Sequence, residues 1–357
     1  MTLRNIMRLC PRGGKMGPEV SSTGFGTAAL PSEVQRLHNR FPEFVGNSPP
    51  LIRMLQQLEK IASSDSTVLI LGESGTGKEL VGRAIHRLSP RRNGPFISEN
   101  CAAISPTLLD GELFGHARGA FTGATSERAG LIESAEGGIL LLDEIGEMEG
   151  LLQTKLLRVL QEREIRRVGS SQTKKVDFRL LAATHRDLEE EVQQGRFRDD
   201  LRYRVDVLRI EVPTLRQRRQ DIPTLSQYYL RGFCRKTNRR IPTFSPDALS
   251  VLISSPWKGN VRELRNEMER LSANGKERIL AEDLSESLRR NGLPHPIARR
   301  LRAELGTDLR RLEEIILGGI VRDVLTETEG NKARAARILG IPKTTLYRRL
   351  ARWRLLS

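Results

Sequence analysis

Cysteine is scarce in this chain. Its three thiols, Cys10, Cys101 and Cys234, are odd in number, scattered and free of CxxC spacing. That argues against a disulfide framework or a thiolate zinc site and suits a reduced compartment. Histidine is just as thin: His38, His86, His116, His185 and His295 lie far apart, so no metal site is implied. Long hydrophobic runs are missing too. None approaches the ~18–20 residues of a membrane span, and the opening MTLRNIMRLCPRGGK lacks the apolar stretch of a signal peptide. The expectation is a cytoplasmic protein with no membrane contact. Aromatics are few, at 4%, so an isolated one in a polar setting stands out. Acidic charge also falls short, with 44 Asp+Glu against 59 Lys+Arg and a net charge of +15. This balance favours a polyanionic partner such as nucleic acid.

What is present is enough to build cores: 38% of the 357 residues are hydrophobic, which suits two or three domains. Residues 1–42 are rich in Gly, Pro and Ser and read as a flexible N-terminal tail. At NSPPLIRMLQQLEKIA the pattern becomes helical, with Leu51, Met54, Leu55, Leu58 and Ile61 on one face. Short apolar runs then alternate with amphipathic stretches: Thr67–Leu71, Phe96–Ser98, Ile139–Leu142, Arg179–Ala183 and Leu208–Val212. The alternation predicts an α/β fold over residues 43–212, a parallel sheet flanked by helices. From Pro213 the strand signals stop. Residues 213–272 read as a smaller all-helical domain, 273–308 as a charged linker, and 309–357 as a final all-α block.

TVLILGESGTGKE places an apolar strand, then Gly72, Glu73, Ser74, Gly75, Thr76, Gly77, Lys78 and Glu79, then a helix from about Lys78. This is the GxxxxGK phosphate loop in its required strand–loop–helix setting. Its glycines let backbone N–H groups turn onto phosphate oxygens, and the helix N-terminus adds its positive end. Lys78 would reach the β- and γ-phosphates of ATP. Glu79 stands where Ser or Thr usually meets Mg²⁺, so the metal needs other groups, with Thr76 a candidate. A second element, AEGGILLLDEIGEM, ends an apolar strand in Asp143 and Glu144, at the sheet edge where ligands bind. Asp143 would hold Mg²⁺, through water, and Glu144 would polarise the attacking water. Together the two elements predict an ATPase.

These motifs, with GAFTGA at Gly119, Ala120, Phe121, Thr122, Gly123 and Ala124, resemble the AAA+ transcription activators of sigma-54 RNA polymerase, the bacterial enhancer-binding proteins. The resemblance covers about residues 43–272 and 309–357, which it assigns to an ATPase subdomain with its helical lid and a Fis-type helix-turn-helix. It implies that GESGTGKE, with its Glu79, is the family's own form of the loop. It implies that GAFTGA tips a loop that touches sigma-54 in step with ATP hydrolysis. A glycine mount bearing an exposed Phe121 suits a contact made in one nucleotide state. Residues 161–175 match the neighbouring second loop.

The resemblance carries further positions. Asn100 matches the residue that holds the catalytic Glu inactive, and Thr184 a γ-phosphate sensor. Arg262 matches the second sensor, on the lid, although Lys258 replaces the family's usual Pro nearby. Arg198 and Arg204 match arginines that reach the next subunit's nucleotide, although salt bridges to Asp199 or Asp200 would suit either one. Fingers acting across subunits require a ring, and the family implies a homo-hexamer.

GNKARAARILGIPKTTLYRRLARW reads as a helix-turn-helix, with Ala336 at the close approach, Gly340 in the turn, and Ile341, Leu346 and Leu350 packing the second helix. From Gly330 onward there are eight Lys and Arg and no acid, a footprint for the phosphates of double-stranded DNA. Lys343 opens the recognition helix. Thr344, Thr345 and Arg348 are placed for bases, Arg349 and Arg352 for phosphates. The preceding stripe of Leu309, Leu312, Ile316 and Ile320 resembles the Fis-type pairing helix. Two rival readings are a repressor that keeps nucleotide for assembly and an AAA+ DNA motor. The first would lack Glu144 or the finger arginines; the second would have no use for Phe121 and Thr122. With only about 42 residues before the core, too few for a sensor domain, control is expected from a separate regulatory protein or from expression level.

Overall fold

Five apolar runs come together as one all-parallel sheet. The computed structural model describes residues 32–120, 126–291, 321, 324–325, 328, 331–339 and 341–352. Its first part runs α1 (Ser32–Arg40), α2 (Pro49–Ala62), β1 (Val68–Leu71), α3 (Lys78–Leu88), β2 (Phe96–Asn100), α4 (Pro106–Phe114), α5 (Leu131–Ser134) and β3 (Ile139–Asp143). It continues with α6 (Gly150–Glu162), the short strands β4 (Glu164–Arg166) and β5 (Thr173–Lys175), then β6 (Arg179–Thr184), α7 (Leu188–Gln193), α8 (Asp199–Val205) and β7 (Leu208–Glu211). The sheet order is β2-β3-β6-β1-β7, so helices must cross over both faces to link parallel neighbours.

The strands alternate between two cores. Leu69, Leu140, Leu142, Leu180 and Ala182 face one cluster, with helices α4 to α8. Val68, Ile70, Ile139, Leu141, Leu181 and Ala183 face the other, with α1 to α3. A strand's period of two aims alternate side chains at opposite faces. At the strands' N-terminal end, Arg179 is fully buried and donates to the carbonyls of Ser66 (2.9 Å), Ala62 (3.2 Å) and Ile61 (3.0 Å). It ties off the C-terminal carbonyls of α2, and burial lowers its pKa to about 10.

The helical part follows: α9 (Ile222–Lys236), β8 (Thr243–Phe244), α10 (Pro246–Ser254), α11 (Asn260–Ala273), β9 (Arg278–Ile279) and α12 (Glu286–Asn291). Its own core gathers Leu225, Leu230, Leu252, Trp257, Leu264 and Met268. A last pair, α13 (Lys332–Ile338) and α14 (Lys343–Arg352), packs Ala335, Ala336, Leu346 and Leu350.

Two sequence expectations change here. The tail assigned to residues 1–42 ends earlier, because α1 seats Leu37 and the following Phe41, both 0% exposed, in the core beside α2. A nine-residue helix of two and a half turns, with Leu37 its one buried side chain, gives too little periodicity to see. The linker assigned to 273–308 also begins later. Ile279, Leu284 and Leu288 are buried in the helical core, and β9 pairs with β8. Three apolar residues at intervals of five and four are too few to set a period, so the charge around them dominates the reading.

Candidate nucleotide site and its loops

The sheet's C-terminal edge collects the predicted residues. Asn100 lies in register with Asp143, and Leu71 with Thr184. Beyond Leu71 the chain turns through the phosphate loop into α3. Gly75 and Gly77 take φ of +78° and +105°, a region that L side chains avoid. A Cβ on Gly75 would stand 2.3 Å from the Gly259 carbonyl, so only glycine fits beneath the helical lid. Among the described residues, none accepts a hydrogen bond from the amides of Gly75, Gly77 or Lys78. Three free donors at a helix start form an anion cradle.

Lys78 is 6% exposed and donates to the Gly72 carbonyl at 2.9 Å and to Glu144 Oε1 at 3.0 Å. Thr76 is buried, and its hydroxyl donates to the Glu73 carbonyl at 2.8 Å, bracing the loop from within. Glu79 is exposed and accepts from Arg83 at 2.6 Å, one turn along the same helix.

Asp143 ends β3 half-buried and accepts from the Glu144 amide at 3.0 Å. Burial raises its pKa, and Lys78 opposes the rise. Glu144 follows in a left-handed turn at φ 54°. Burial pushes its pKa up, but hydrogen bonds from His185 and Lys78 outweigh that and hold it lowered. His185 Nδ1 lies 2.7 Å from Glu144 Oε2. Sequence reasoning did not single out His185; its place directly after Thr184 on a strand end was the available signal. Thr184 is fully buried, accepts from the Arg186 amide at 3.0 Å, and lends its carbonyl to the Gly72 amide at 3.2 Å. The expected Asn100 contact with the catalytic Glu is not made here. Asn100 accepts from the Ala102 amide at 2.8 Å, an Asx turn that keeps its oxygen local, and Lys78 and His185 take both Glu144 oxygens.

The lid grips the loop from the other side. Arg262 donates to Ser74 Oγ at 2.9 Å, and its amide to the Gly75 carbonyl at 3.2 Å. Two partners went unseen in the sequence. Asn260, fully buried at φ 51°, donates to the Ser74 carbonyl and to Glu73, both at 3.1 Å, and accepts from the Leu215 amide at 2.9 Å. Arg216 clasps Glu73 at 2.7 and 2.5 Å. Arg216, then Asn260, lower the Glu73 pKa to about 2.

The loops of residues 116–128 and 161–175 sit side by side. Gly119 is described, at φ 81°, with Ala120; Phe121, Thr122, Gly123 and Ala124 lie outside the described residues. Their base is closed by His116 pairing with Arg128 through two 3.0 Å backbone bonds. Beside it, β4 and β5 pair antiparallel within 161–175, and the Ala117 amide reaches the Val168 carbonyl at 2.9 Å. Buried Glu133 receives Arg167 at 2.6 and 2.8 Å and Lys174 at 2.9 Å, tying the hairpin to α5. Arg198 pairs with Asp200 at 2.7 and 3.0 Å, the salt bridge that stood as its alternative. Arg204 is exposed and forms no ion pair with a described residue. In the last helix pair, Asn331 caps α13 through the Arg334 amide at 3.1 Å. Lys343 and Thr344 are exposed and Thr345 is half-buried. Arg348, Arg349 and Arg352 fall on α14, and Gly340 and residues 309–320 lie outside the described residues.

Residues 44–211 match the Sigma-54 interaction domain, 216–299 the AAA+ ATPase lid domain, and 319–353 the Bacterial regulatory protein, Fis family. The chain is 47% identical over 313 residues to the transcriptional regulatory protein ZraR of Salmonella typhimurium, covering 86% of this chain and 68% of that one. The chain belongs to the sigma-54-dependent transcriptional activators. The regulatory protein AtoC of Escherichia coli K12 is 44% identical over 335 residues, with 90% and 71% covered. Among solved structures, NtrX of Brucella abortus in complex with ADP superimposes with a TM-score of 0.65 at 34% identity, covering 90% of this chain and 72% of that one. An AAA+ domain of parallel sheet and lid is joined in this chain to a Fis-type helix-turn-helix. Among the described residues no helix is long and apolar enough to cross a membrane.

Proposed function

We propose that this activator hydrolyses ATP in a homo-oligomeric ring, six-membered as in its family, in the cytoplasm. Each cycle drives the GAFTGA loop against sigma-54, so that the closed complex of RNA polymerase holoenzyme and promoter can open. The helix-turn-helix meanwhile holds upstream double-stranded DNA, with Thr344, Thr345 and Arg348 toward bases and Lys343, Arg349 and Arg352 toward phosphates. The observation that carries the ATPase reading is the Lys78–Glu144 pair at 3.0 Å. The cation meant for phosphates and the carboxylate meant for water hold each other while the cradle amides lack acceptors.

The chemistry follows from competition for Lys78. A triphosphate entering the cradle offers Lys78 several anionic oxygens, and the loop amides add donors. Lys78 then leaves Glu144, whose second oxygen stays on His185. A lowered pKa keeps Glu144 ionised, ready to orient a water and accept its proton. Thr184 and Arg262 face the phosphates from the sheet edge and the lid. Mg²⁺ would neutralise phosphate charge. Asp143 fits it as a partly buried carboxylate, while Thr76 fits less well because its hydroxyl serves the Glu73 carbonyl. Asp143 would hold the ion together with oxygens of the bound triphosphate, as Mg²⁺ in nucleotide sites usually is held. Arg198 and Arg204 act on the neighbouring subunit's γ-phosphate, which requires Arg198 to leave Asp200. That exchange is feasible because the pair is about half exposed and weakly held.

NtrX is a relative that was solved with ATP as well as with ADP, which supports nucleotide binding in this chain. The deciding experiment combines the purified protein, sigma-54 holoenzyme and a sigma-54 promoter. Permanganate reactivity of the melted strands should appear with ATP and not with a non-hydrolysable analogue. Melting with the analogue, or no melting with ATP, would overturn the proposal.

A further inference from the structure

The lid carries a basic face that the nucleotide site does not use. From Ile222 to Pro246 the sequence holds Arg231, Arg235, Lys236, Arg239 and Arg240 and no acidic residue. Helix α9 turns Leu225, Ser226, Leu230 and Cys234 into the lid core. Its opposite stripe, Thr224, Tyr228, Arg231 and Arg235 at helical spacing, is exposed. Tyr228 is 52% exposed. A Cβ on Gly232 would meet nothing within 4 Å, so the stripe is open to a large partner. Arg240 pairs with Glu277, and Arg239 donates to the carbonyls of Ser272 and Ala273. Arg231, Arg235 and Lys236 form no ion pair with any described residue, while Lys236 sits 5.9 Å over the Phe233 ring.

We propose that this face is a second contact for duplex DNA, gripping the backbone of the same duplex that the helix-turn-helix holds. The charge of Arg231, Arg235 and Lys236 is of one sign and is not neutralised by any described residue, as phosphate binding requires. Arg231 and Arg235 sit one turn apart, about 6 Å along the helix, close to the axial rise of two phosphates on one strand at about 3.4 Å each. Tyr228 adds a hydroxyl donor of the kind that meets phosphate and sugar. Chain connectivity selects DNA over other polyanions. Only 39 residues separate Asn291 at the end of the lid from Asn331 at the start of the helix pair. Even fully extended they span at most about 130–140 Å. Any duplex on the helix-turn-helix is therefore presented to the lid at high effective concentration, where a weak contact suffices.

The test is duplex binding by the full chain, measured with a mixed-sequence 60-bp probe across a salt series. R231Q/R235Q/K236Q should weaken binding roughly tenfold at 0.1 M salt and flatten the slope of log K against log salt by about two to three. ATP hydrolysis and ring assembly should stay intact. R231K/R235K should bind as wild type, since a phosphate contact needs the charge and not the guanidinium. In a chain already carrying R348A/R349A/R352A, the glutamine set should remove the residual binding. An unchanged slope would overturn the proposal. So would a glutamine variant that binds DNA normally but loses capture of sigma-54 holoenzyme, which would assign the face to an acidic protein. Loss of ring assembly in that variant would assign it to a subunit interface instead.

Discussion

Asn260→Ala tests how the lid holds the phosphate loop. Asn260 is fully buried and makes three side-chain hydrogen bonds: to Glu73, to the Ser74 carbonyl and from the Leu215 amide. The bond to an ionised acceptor is worth about 1.5–3 kcal/mol and each neutral one about 0.5–1.5 kcal/mol. Alanine also tolerates the φ of 51° less well than asparagine, at about 1 kcal/mol. Because neighbouring losses do not add fully, the expected destabilisation is about 3 kcal/mol. Urea unfolding of the intact chain, followed by tryptophan fluorescence, reads it out because Trp257 lies in the same lid core. Asn260→Gly relieves the backbone and not the bonds, so it should recover about 1 kcal/mol of the loss. ATP affinity should fall in both variants, since Ser74 and Gly75 lose their brace. If Asn260→Ala unfolds within 0.5 kcal/mol of wild type, the lid is not anchored through this residue.

Glu144→Gln should abolish hydrolysis while ATP binds at or above wild-type affinity, because Lys78 no longer pairs with a carboxylate; Lys78→Ala should lose both, and a Gln variant with normal turnover would refute the assignment. Arg198→Ala and Arg204→Ala should each lower hydrolysis in assembled rings, and mixing either with Lys78→Ala subunits should restore part of it. No recovery in verified mixed rings would place the arginines outside a shared site. The Glu73–Arg216 link should show its pH dependence only in acid. Glu73 falls from an ordinary 4.5 to about 2 when folded, so its contribution is fully present above about pH 4.5 and is lost as pH falls toward 2. The urea midpoint of Arg216→Gln should thus trail wild type by a constant amount from pH 5.5 to 8 and converge on it below pH 4; a gap that widens in acid would contradict the sign.

Local patterns made the five strands and the phosphate loop readable. β1, β2, β3, β6 and β7 of the main sheet are short apolar runs bounded by Gly, Pro or charge, and the strand–loop–helix order around Lys78 leaves few alternatives. Asp143 and Thr184 were legible because strand ends at a parallel edge are where ligands meet. What stayed hidden was long-range polar pairing. Glu73 and Arg216 are 143 positions apart, Asn260 and Glu73 187, and neither partner carries a local signature. The same holds for Arg179, which reads as a polar strand start but is buried among helix carbonyls. His185 replaced Asn100 as the neighbour of Glu144 because Asn100 found a nearer acceptor role in its own turn. Motifs identify the groups; which carboxylate oxygen each group occupies is decided by tertiary geometry.

Open-complex formation by Thr122→Ala tests the central claim most directly. The phosphate loop, the lid and the helix-turn-helix are untouched by this change, and a Thr hydroxyl and methyl on a glycine mount contribute little to folding. The account predicts that the variant hydrolyses ATP and binds DNA as wild type, while promoter melting with sigma-54 holoenzyme falls to background. It also predicts that a transition-state analogue of ATP no longer traps sigma-54 on the ring. If Thr122→Ala melts the promoter at the wild-type rate, the GAFTGA loop is not the element that couples ATP hydrolysis to the polymerase.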